Sequence, residues 1–436
     1  MKQNTRNTQI YTQEGAPAKH INPLQQLRRT VMACLLWENN FYESGESVAD
    51  RIKTLVAQNK PEDVSNLAIE ARTDFKLRHA PLLLAREMAR NFKGRIVGDT
   101  IYSVIQRADE LAEFLAIYWK DGKQPLSAQV KKGLARAWSK FDEYSLAKYD
   151  RDGIVKLRDS LFMCHARPAN KAKQDIFKRL IDGNLRTPDT WEVGLSAGGD
   201  KKETFERLLS ENKLGYMALL RNLRNMQEAG VDTSLIFPRL IEGARKSKAL
   251  PFRYISAAQA VPAWEREIDE AMQLALESQE PLKGMTIILV DVSASMDWAM
   301  SSKSQLNRID SACALAILIA GIAEQYAVFT FSHRVVQVPP RKGMALRDAI
   351  HGSQPRGGTY LGSAVSEMNE LDYDRLIVIT DEQSHDRVPD PRGTGYVINV
   401  ASNENGVGYY AWKHIDGFSE SVVRWVQETE RTVTPV

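Results

Sequence analysis

The stretch that decides the fold is Met285–Asp297, which reads MTIILVDVSASMD. Residues 285–290 form an almost unbroken apolar run rich in β-branched side chains, a pattern typical of a fully buried strand. The run ends at Asp291, and Ser293 and Ser295 follow on alternate positions. Because alternate residues of an extended segment point the same way, these three side chains can converge on one point. They suit Mg²⁺ or Mn²⁺ but leave its coordination incomplete.

The missing ligands follow later in the chain. Residues 376–380 (LIVIT) predict a second buried strand that ends at Asp381, and the glycines of Gly357-Gly358-Thr359 allow a hydroxyl to approach closely. This order of residues resembles the metal-ion-dependent adhesion site of von Willebrand factor A domains. The ligands that the resemblance implies are Asp291, Ser293, Ser295, Thr359 and Asp381. The plainer alternative is that Asp291 only ends a strand and the two serines cap a helix.

From residue 281 onward, apolar strands alternate with helices, which predicts a mostly parallel, doubly wound, Rossmann-like sheet. The predicted metal ligands follow the strands at their carboxyl ends, where such sheets bind ligands. The predicted strands span residues 285–290, 327–331, 335–338, 376–380, 396–400 and 409–413.

The remainder of the chain predicts a flexible polar arm over residues 1–20 and an all-α domain over residues 21–280. About a dozen short amphipathic helices are joined by tight turns, and one of them is predicted over residues 99–120. This pattern favours stacked antiparallel pairs, as in a HEAT-like solenoid. A compact irregular bundle is the alternative. The predicted fold class is therefore α plus α/β, with the sheet domain over residues 281–436.

The net charge of +3 hides an asymmetry, because residues 281–436 carry −4 and residues 1–280 carry +7. The excess is concentrated in Lys120–Arg179, which holds 15 Lys and Arg against 7 Asp and Glu. Such a stretch predicts a polyanionic partner, since Lys and Arg bind phosphates and His can stack on a base. A solvated helix face is the alternative. The candidate RNA contacts are Lys132, Arg136, Lys140, Lys148, Arg158, His165, Arg167 and Lys171.

The order of features along nearly the whole chain resembles the TROVE domain of the Ro autoantigen and its bacterial or phage relatives, which also end in a von Willebrand A domain. The stretches that carry the resemblance are Gln26–Arg29 (QLRR), Lys131–Lys148, Leu157–Arg158, His165–Pro168 (HARP), Met217–Met226 (MALLRNLRNM) and Leu250–Tyr254 (LPFRY).

The resemblance implies a monomeric ring of HEAT-like repeats, closed by the A domain around a positively charged hole. It implies that small noncoding Y RNAs bind the basic outer surface, and that single-stranded ends of misfolded RNAs enter the hole. Lys148 and His165 match two basic positions used for Y RNA, and Arg167 stands where the family is also basic. The implied partner in RNA quality control is an exoribonuclease, polynucleotide phosphorylase.

The sequence offers little support for an enzyme, a disulfide-rich protein or a membrane protein. It lacks the phosphate-loop, HExxH and GxSxG spacings, and its three cysteines form no CxxC. No apolar run approaches the roughly 18 residues of a membrane span. We therefore expect a noncatalytic cytoplasmic protein. The alternative function is a metal-dependent protein-docking module, in which an acidic residue of a protein ligand completes the Mg²⁺ coordination and the helical part is a scaffold.

Overall fold

The computed structural model describes residues 9–32, 44–187, 189–196, 199–247, 249, 251–277, 280–299, 306–401, 403–417, 422, 426, 427 and 430. The described residues fall into two compact units. The helical unit comprises those within 23–31 and 47–198, and the sheet unit comprises those within 1–22, 32–46 and 199–436. None of the helices in this described part of the chain is long and apolar enough to cross a membrane.

The N-terminal part of the chain is helical, as the sequence predicts. The helices up to residue 196 are α1 (Pro23–Met32), α2 (Gly45–Ala57), α3 (Pro61–Thr73), α4 (His79–Asn91), α5 (Arg95–Val104), α6 (Glu110–Tyr118), α7 (Ala128–Ala137), α8 (Glu143–Tyr149), α9 (Leu157–Cys164), α10 (Lys171–Ile181) and α11 (Trp191–Ser196). A 3₁₀ turn, Trp138–Lys140, follows α7.

Each helix of the helical unit buries a stripe of side chains spaced three or four residues apart. In α3, for example, Val64, Leu67, Ala68 and Ala71 are buried. Helix α3 packs against α4 and α5, α4 against α5 and α6, α5 against α7, and α7 against α9. Contacts that join a helix to its next neighbour and to the one after it are those of stacked helix pairs.

Helices α5 and α7 pack closely because glycines face each other where they cross. A Cβ atom on Gly133 would lie 2.7 Å from the carbonyl oxygen of Gly98 and 2.9 Å from the Cβ of Ile101. Real side chains do not approach backbone atoms so closely, so only glycine fits at residue 133.

The predicted helix over residues 99–120 is wrong, because α5 ends at Val104 and α6 begins at Glu110. The buried carboxylate of Glu110 accepts hydrogen bonds from the backbone N–H groups of Gln106 (2.8 Å) and Arg107 (3.0 Å). It also pairs with the buried guanidinium of Arg72 at 2.7 Å. Glu110 thus satisfies backbone donors that would otherwise be left unpaired at the start of α6.

The sheet unit combines further helices with a six-stranded sheet. Its described helices are α12 (Lys201–Ser210), α13 (Tyr216–Glu228), α14 (Thr233–Ala244), α15 (Pro251–Ala260), α16 (Glu265–Leu276), α17 (Arg308–Ile322), α18 (Gly343–His351) and α19 (Leu361–Met368). Its described strands are β1 (Leu282–Asp291), β2 (Ala323–Phe331), β3 (Val335–Val338), β4 (Arg375–Thr380), β5 (Thr394–Asn399) and β6 (Trp412–Asp416).

The strand order is β3-β2-β1-β4-β5-β6, and every pair is parallel except the edge pair of β2 and β3. Ile287 and Leu289 of β1 belong to a core cluster that includes residues of α19. Alternate residues of a strand face opposite sides, so Ile288 and Val290 face the other side. The apolar helix α17 packs against β1, β2 and β4. The predicted doubly wound sheet is confirmed.

The predicted strand over residues 409–413 is wrong in position, because β6 begins at Trp412. Tyr409 and Tyr410 have φ angles of +88° and +64°, so the chain turns there and cannot be extended.

Residues 9–20 differ from the flexible arm predicted for residues 1–20, of which residues 1–8 lie outside the described part. The hydroxyl of Thr12 donates a hydrogen bond of 2.7 Å to the carbonyl of Ser384, and Ala16 N–H donates to the same carbonyl at 3.1 Å. The side chain of Ala16 is part of the sheet core cluster. This segment is therefore packed on the sheet unit, where its backbone groups find partners.

Candidate metal centre and nucleic-acid interface

The predicted metal ligands lie at the carboxyl edge of the sheet, between β1 and β4. Asp291 is the last residue of β1, and Asp381 directly follows β4. Strand β1 pairs with β2 on one side and with β4 on the other. The strand order therefore reverses at β1, and such a switch point leaves a crevice at the carboxyl ends of the two central strands.

The loops after these strands bring the predicted ligands together. Ser293 N–H donates to Asp291 Oδ1 at 2.8 Å, and the hydroxyl oxygens of Ser293 and Ser295 are 3.3 Å apart. Ala294 N–H donates a hydrogen bond of 3.0 Å to the carbonyl of Gly357, which joins the loop of the two serines to the loop that carries Thr359. All five predicted ligands are at most 3% exposed, so their oxygens are held away from bulk water.

The buried carboxylates of Asp291 and Asp381 determine the electrostatics of this site. Burial first, and then the charge of Asp381, raise the pKa of Asp291 above its usual range. Asp381 Oδ2 is buried and accepts no hydrogen bond from the described residues. Arg308 Nη1 lies 3.6 Å from that oxygen, so one buried cation pairs with Asp381 while Asp291 adds a second buried acid. A buried carboxylate oxygen that has an ion pair but no hydrogen bond is only partly compensated.

The chemistry of the residues fits an Mg²⁺ or Mn²⁺ ion bound through carboxylate and hydroxyl oxygens. Among the described residues, no three His, Cys, Asp or Glu side chains form a metal-binding group, so a zinc-type site has no support there. The buried, unbonded Oδ2 of Asp381 is the atom that a cation would satisfy.

Thr380 is a contributor that the sequence analysis missed. Its hydroxyl donates a hydrogen bond of 2.6 Å to Asp291 Oδ2, which leaves that carboxylate oriented toward the serine loop. Thr380 is the last residue of the predicted strand LIVIT, but the sequence does not show which residue its hydroxyl contacts. The pairing of β1 with β4 places that hydroxyl beside Asp291.

Three rings stand at the rim of the site, beside the loop that carries Thr359. The ring of Tyr360 stacks on His385 with centroids 5.1 Å apart and lies 5.7 Å from His333. The ring of His333 covers Gly357 so closely that any side chain at residue 357 would collide with it. His385 Nε2 also pairs with Glu14 of the N-terminal segment at 3.0 Å. None of these three rings was predicted to belong to the site.

Two of the predicted RNA contacts have partners within the helical unit. Arg136 forms an ion pair with Asp99 and lies over the ring of Tyr102. Lys140 donates to the carbonyls of Tyr102 and, at 2.9 Å, Ile105. Both side chains therefore join α7 and its 3₁₀ extension to α5.

The other six predicted contacts are distributed over α7 to α10 and their connections. Lys148 is half-buried beside Tyr149, and Arg158 lies 3.9 Å from Asp159 with its side chain 52% exposed. The exposed residues without an acidic partner among the described residues are Lys132, His165, Arg167 and Lys171.

Two known domain families match parts of this sequence. The sequence pattern of the TROVE domain matches residues 177–311, and that of the von Willebrand factor type A domain matches residues 286–383. The chain therefore contains one stretch similar to a TROVE domain and one similar to a von Willebrand factor type A domain. The A-domain match ends two residues beyond Asp381 and contains the five predicted metal ligands. Most of the basic stretch Lys120–Arg179 precedes the TROVE match.

The chain is also similar to a telomerase protein in part of its sequence and to a Ro protein in its structure. Telomerase protein component 1 of Mus musculus is 35% identical over 89 residues, and that of Rattus norvegicus is 33% identical over 89 residues. These matches cover 19% of this chain and only 3% of those curated relatives. The crystal structure of the Deinococcus radiodurans Ro (RSR) protein matches 95% of this chain and 100% of its own, with a TM-score of 0.64 and 16% identity. The two proteins share a fold.

Proposed function

We propose that this protein is a noncatalytic RNA-binding component of a ribonucleoprotein. The observation that carries the proposal is the set of exposed basic side chains on α7 to α10, four of which lack acidic partners among the described residues. An exposed lysine or arginine without an acidic partner can neutralise a phosphate without first breaking an ion pair. The TROVE match and the fold shared with a Ro protein support the same proposal.

The finer parts of the proposal come from the resemblance to the Ro family. The RNA would be a small noncoding, Y RNA-like molecule bound on the basic outer surface, with Lys148, Arg158 and His165 among its contacts. Single-stranded ends of misfolded RNAs would enter the central hole that the resemblance implies. The protein would act in RNA quality control in the cytoplasm, together with an exoribonuclease such as polynucleotide phosphorylase.

Charge reversal in the helical unit tests RNA binding. We expect the double variant Lys148→Glu with Arg158→Glu to bind a hairpin RNA about 10-fold or more weakly than the unaltered chain, because two phosphate contacts become repulsive. Affinity is measured by fluorescence anisotropy at fixed salt concentration.

The matched control is Arg341→Glu with Lys342→Glu, which changes the net charge equally on two exposed residues of the sheet unit. This control should bind the hairpin with nearly unaltered affinity. Equal losses in both double variants would mean that RNA responds only to total charge, and unaltered binding in the first variant would contradict the assigned surface.

The unsatisfied Oδ2 of Asp381 favours a second function for the A domain, docking of an acidic protein ligand through a bound Mg²⁺. In this proposal Asp291, Ser293, Ser295, Thr359 and Asp381 hold the ion. With Arg308 included, the buried charges of the site sum to −1, so a divalent cation would leave a surplus positive charge. A carboxylate from a partner would neutralise that surplus.

Magnesium binding is tested by thermal unfolding of the full chain. We expect millimolar Mg²⁺ to raise the Tm of the unaltered protein, because a ligand of the folded state stabilises it. Asp381→Asn should abolish the rise, whereas Asp372→Asn, at a largely exposed carboxylate, should retain it. No Mg²⁺-dependent rise in the unaltered protein would refute the metal site. The docking proposal is tested by a pull-down. A partner protein should remain bound after ribonuclease treatment, should be released by EDTA, and should not be captured by Asp291→Ala.

A further inference from the structure

An open groove of about 600 Å³ lies in the helical unit and was not foreseen from the sequence. It is lined by the end of α6, the connection to α7, the first turn of α7 and the end of α9. The side chains that matter for its chemistry are Trp119, Lys123, Lys131, Met163 and His165. Of these, only His165 was predicted to contact RNA.

Trp119 provides a fixed aromatic surface in this groove. Its indole Nε1–H donates a hydrogen bond of 2.7 Å to the carbonyl of Gln124, which holds the ring plane in place. The ring is half-buried, so part of it remains open to a ligand. The flexible thioether of Met163 lines the same groove and can adapt to a flat ring.

The cations of the groove are placed for a ligand that is both flat and anionic. The ammonium of Lys123 lies 5.8 Å from the centroid of the Trp119 ring, within the range of a cation–π contact. Its flexible stem allows it to swing toward an anion when another group stacks on the indole. Lys131 and His165 add further donors. The nearby carboxylate of Asp121 is already paired with Arg86, Arg90 and Lys53.

His165 lies at the end of α9 and lines the groove. His165 ends α9 in the left-handed region, with a φ angle of +54° and its N–H bonded to the carbonyl of Phe162 at 3.1 Å. A non-glycine residue in that region is strained, and such strain is often found at binding sites.

We propose that this groove binds one unpaired nucleotide of an RNA, with its base stacked on Trp119 and its flanking phosphates held by Lys123, Lys131 and His165. The inference rests on the proposed RNA-binding function and specifies the part of the RNA that is recognised there. A paired base offers no free face to the indole, so the groove selects single-stranded segments next to a helix.

The test compares two RNA probes on the full chain: a hairpin with a five-nucleotide single-stranded tail that carries 2-aminopurine, and the same hairpin without the tail. We expect Trp119→Ala to weaken binding of the tailed hairpin on the order of 10-fold and to leave the blunt hairpin unaffected, because one base–aromatic stack is lost. The 2-aminopurine fluorescence should be quenched by the unaltered protein and not by Trp119→Ala. Trp119→Phe, which keeps an aromatic face, should retain most of the affinity and quenching.

Phe162→Ala is the control, because Phe162 is an exposed aromatic residue on α9 that does not line the groove. It should bind both hairpins normally. Three results would overturn the groove proposal alone. Trp119→Ala could bind the tailed hairpin with unaltered affinity, or it could lose affinity equally for both hairpins. Phe162→Ala could lose as much affinity as Trp119→Ala does. Failure of the unaltered chain to bind either hairpin would overturn the RNA-binding function together with it.

Discussion

At the scale of single residues, the sheet unit buries a histidine between two carboxylates. The imidazole of His414 bonds to Glu382 through Nε2, and its Nδ1 lies 3.4 Å from Asp416 Oδ2. The ring of Tyr409 stacks on it at 4.0 Å. Burial acts to lower the pKa of His414, but the charges of Asp416 and Glu382 outweigh it and raise the pKa to about 9.

This arrangement predicts how stability depends on pH. The imidazolium stabilises the folded state fully below pH about 6.5, the pKa of an unfolded histidine, and the contribution is lost as the pH rises through about 9. We expect the free energy of unfolding to fall on the order of 3 kcal/mol across that interval. Urea unfolding at several pH values measures it.

His414→Gln should remove this decline, whereas His20→Gln, at an exposed histidine, should preserve it. A decline that persists unchanged in His414→Gln would show that another group is responsible.

Single residues also mark the limit of what the sequence reveals about the metal site. The five candidate ligands could be proposed from the sequence, because oxygen-bearing residues that end apolar strands are visible in it. Arg308 and Thr380 could not be assigned, since each meets its carboxylate only after the strands and α17 have packed. The same holds for His414, which lies 32 residues after Glu382.

At the scale of elements, the crossing of α5 and α7 depends on glycine. Alanine in the middle of a helix normally stabilises it by about 1 kcal/mol relative to glycine. At Gly133 we expect the opposite, a loss of about 1–3 kcal/mol, because the new methyl group would meet the backbone of Gly98. Thermal or urea unfolding of Gly133→Ala measures this loss.

Gly153→Ala is the matched control in the same unit, since its added methyl group would have its nearest neighbour at an ordinary 3.7 Å. This variant should unfold like the unaltered chain. A stabilised Gly133→Ala would mean that the two helices can separate slightly at no cost.

Elements were predicted well where one local pattern decided them. Strand β3 has the predicted bounds, and β1 and β4 contain the predicted apolar runs, because buried parallel strands require continuous β-branched residues. The break at Glu110 and the position of β6 depend on a distant ion pair and on two residues with positive φ. The packing of residues 9–20 on the sheet depends on hydrogen bonds to Gln383 and Ser384, which periodicity does not encode.

At the scale of the whole molecule, the change from helices to strands near residue 281 is visible in the sequence, and β1 begins at Leu282. The boundary between the two compact units does not coincide with this change, because the described helices after residue 199 group with the sheet. Helix α15 packs against α17, and α16 packs against α17 and α18. Helical periodicity identifies an apolar face but not its partner, so this grouping could not be predicted.

The salt dependence of hairpin RNA binding by the full chain decides whether its basic side chains hold phosphates. If the basic side chains of α7 to α10 and their connections hold phosphates, log Kd should rise linearly with log salt concentration, with a slope of several released ions. The double variant Lys148→Glu with Arg158→Glu should lower that slope by about 2. Absence of hairpin binding at low salt, or an identical slope for the variant and the unaltered chain, would contradict the claim that this surface binds RNA.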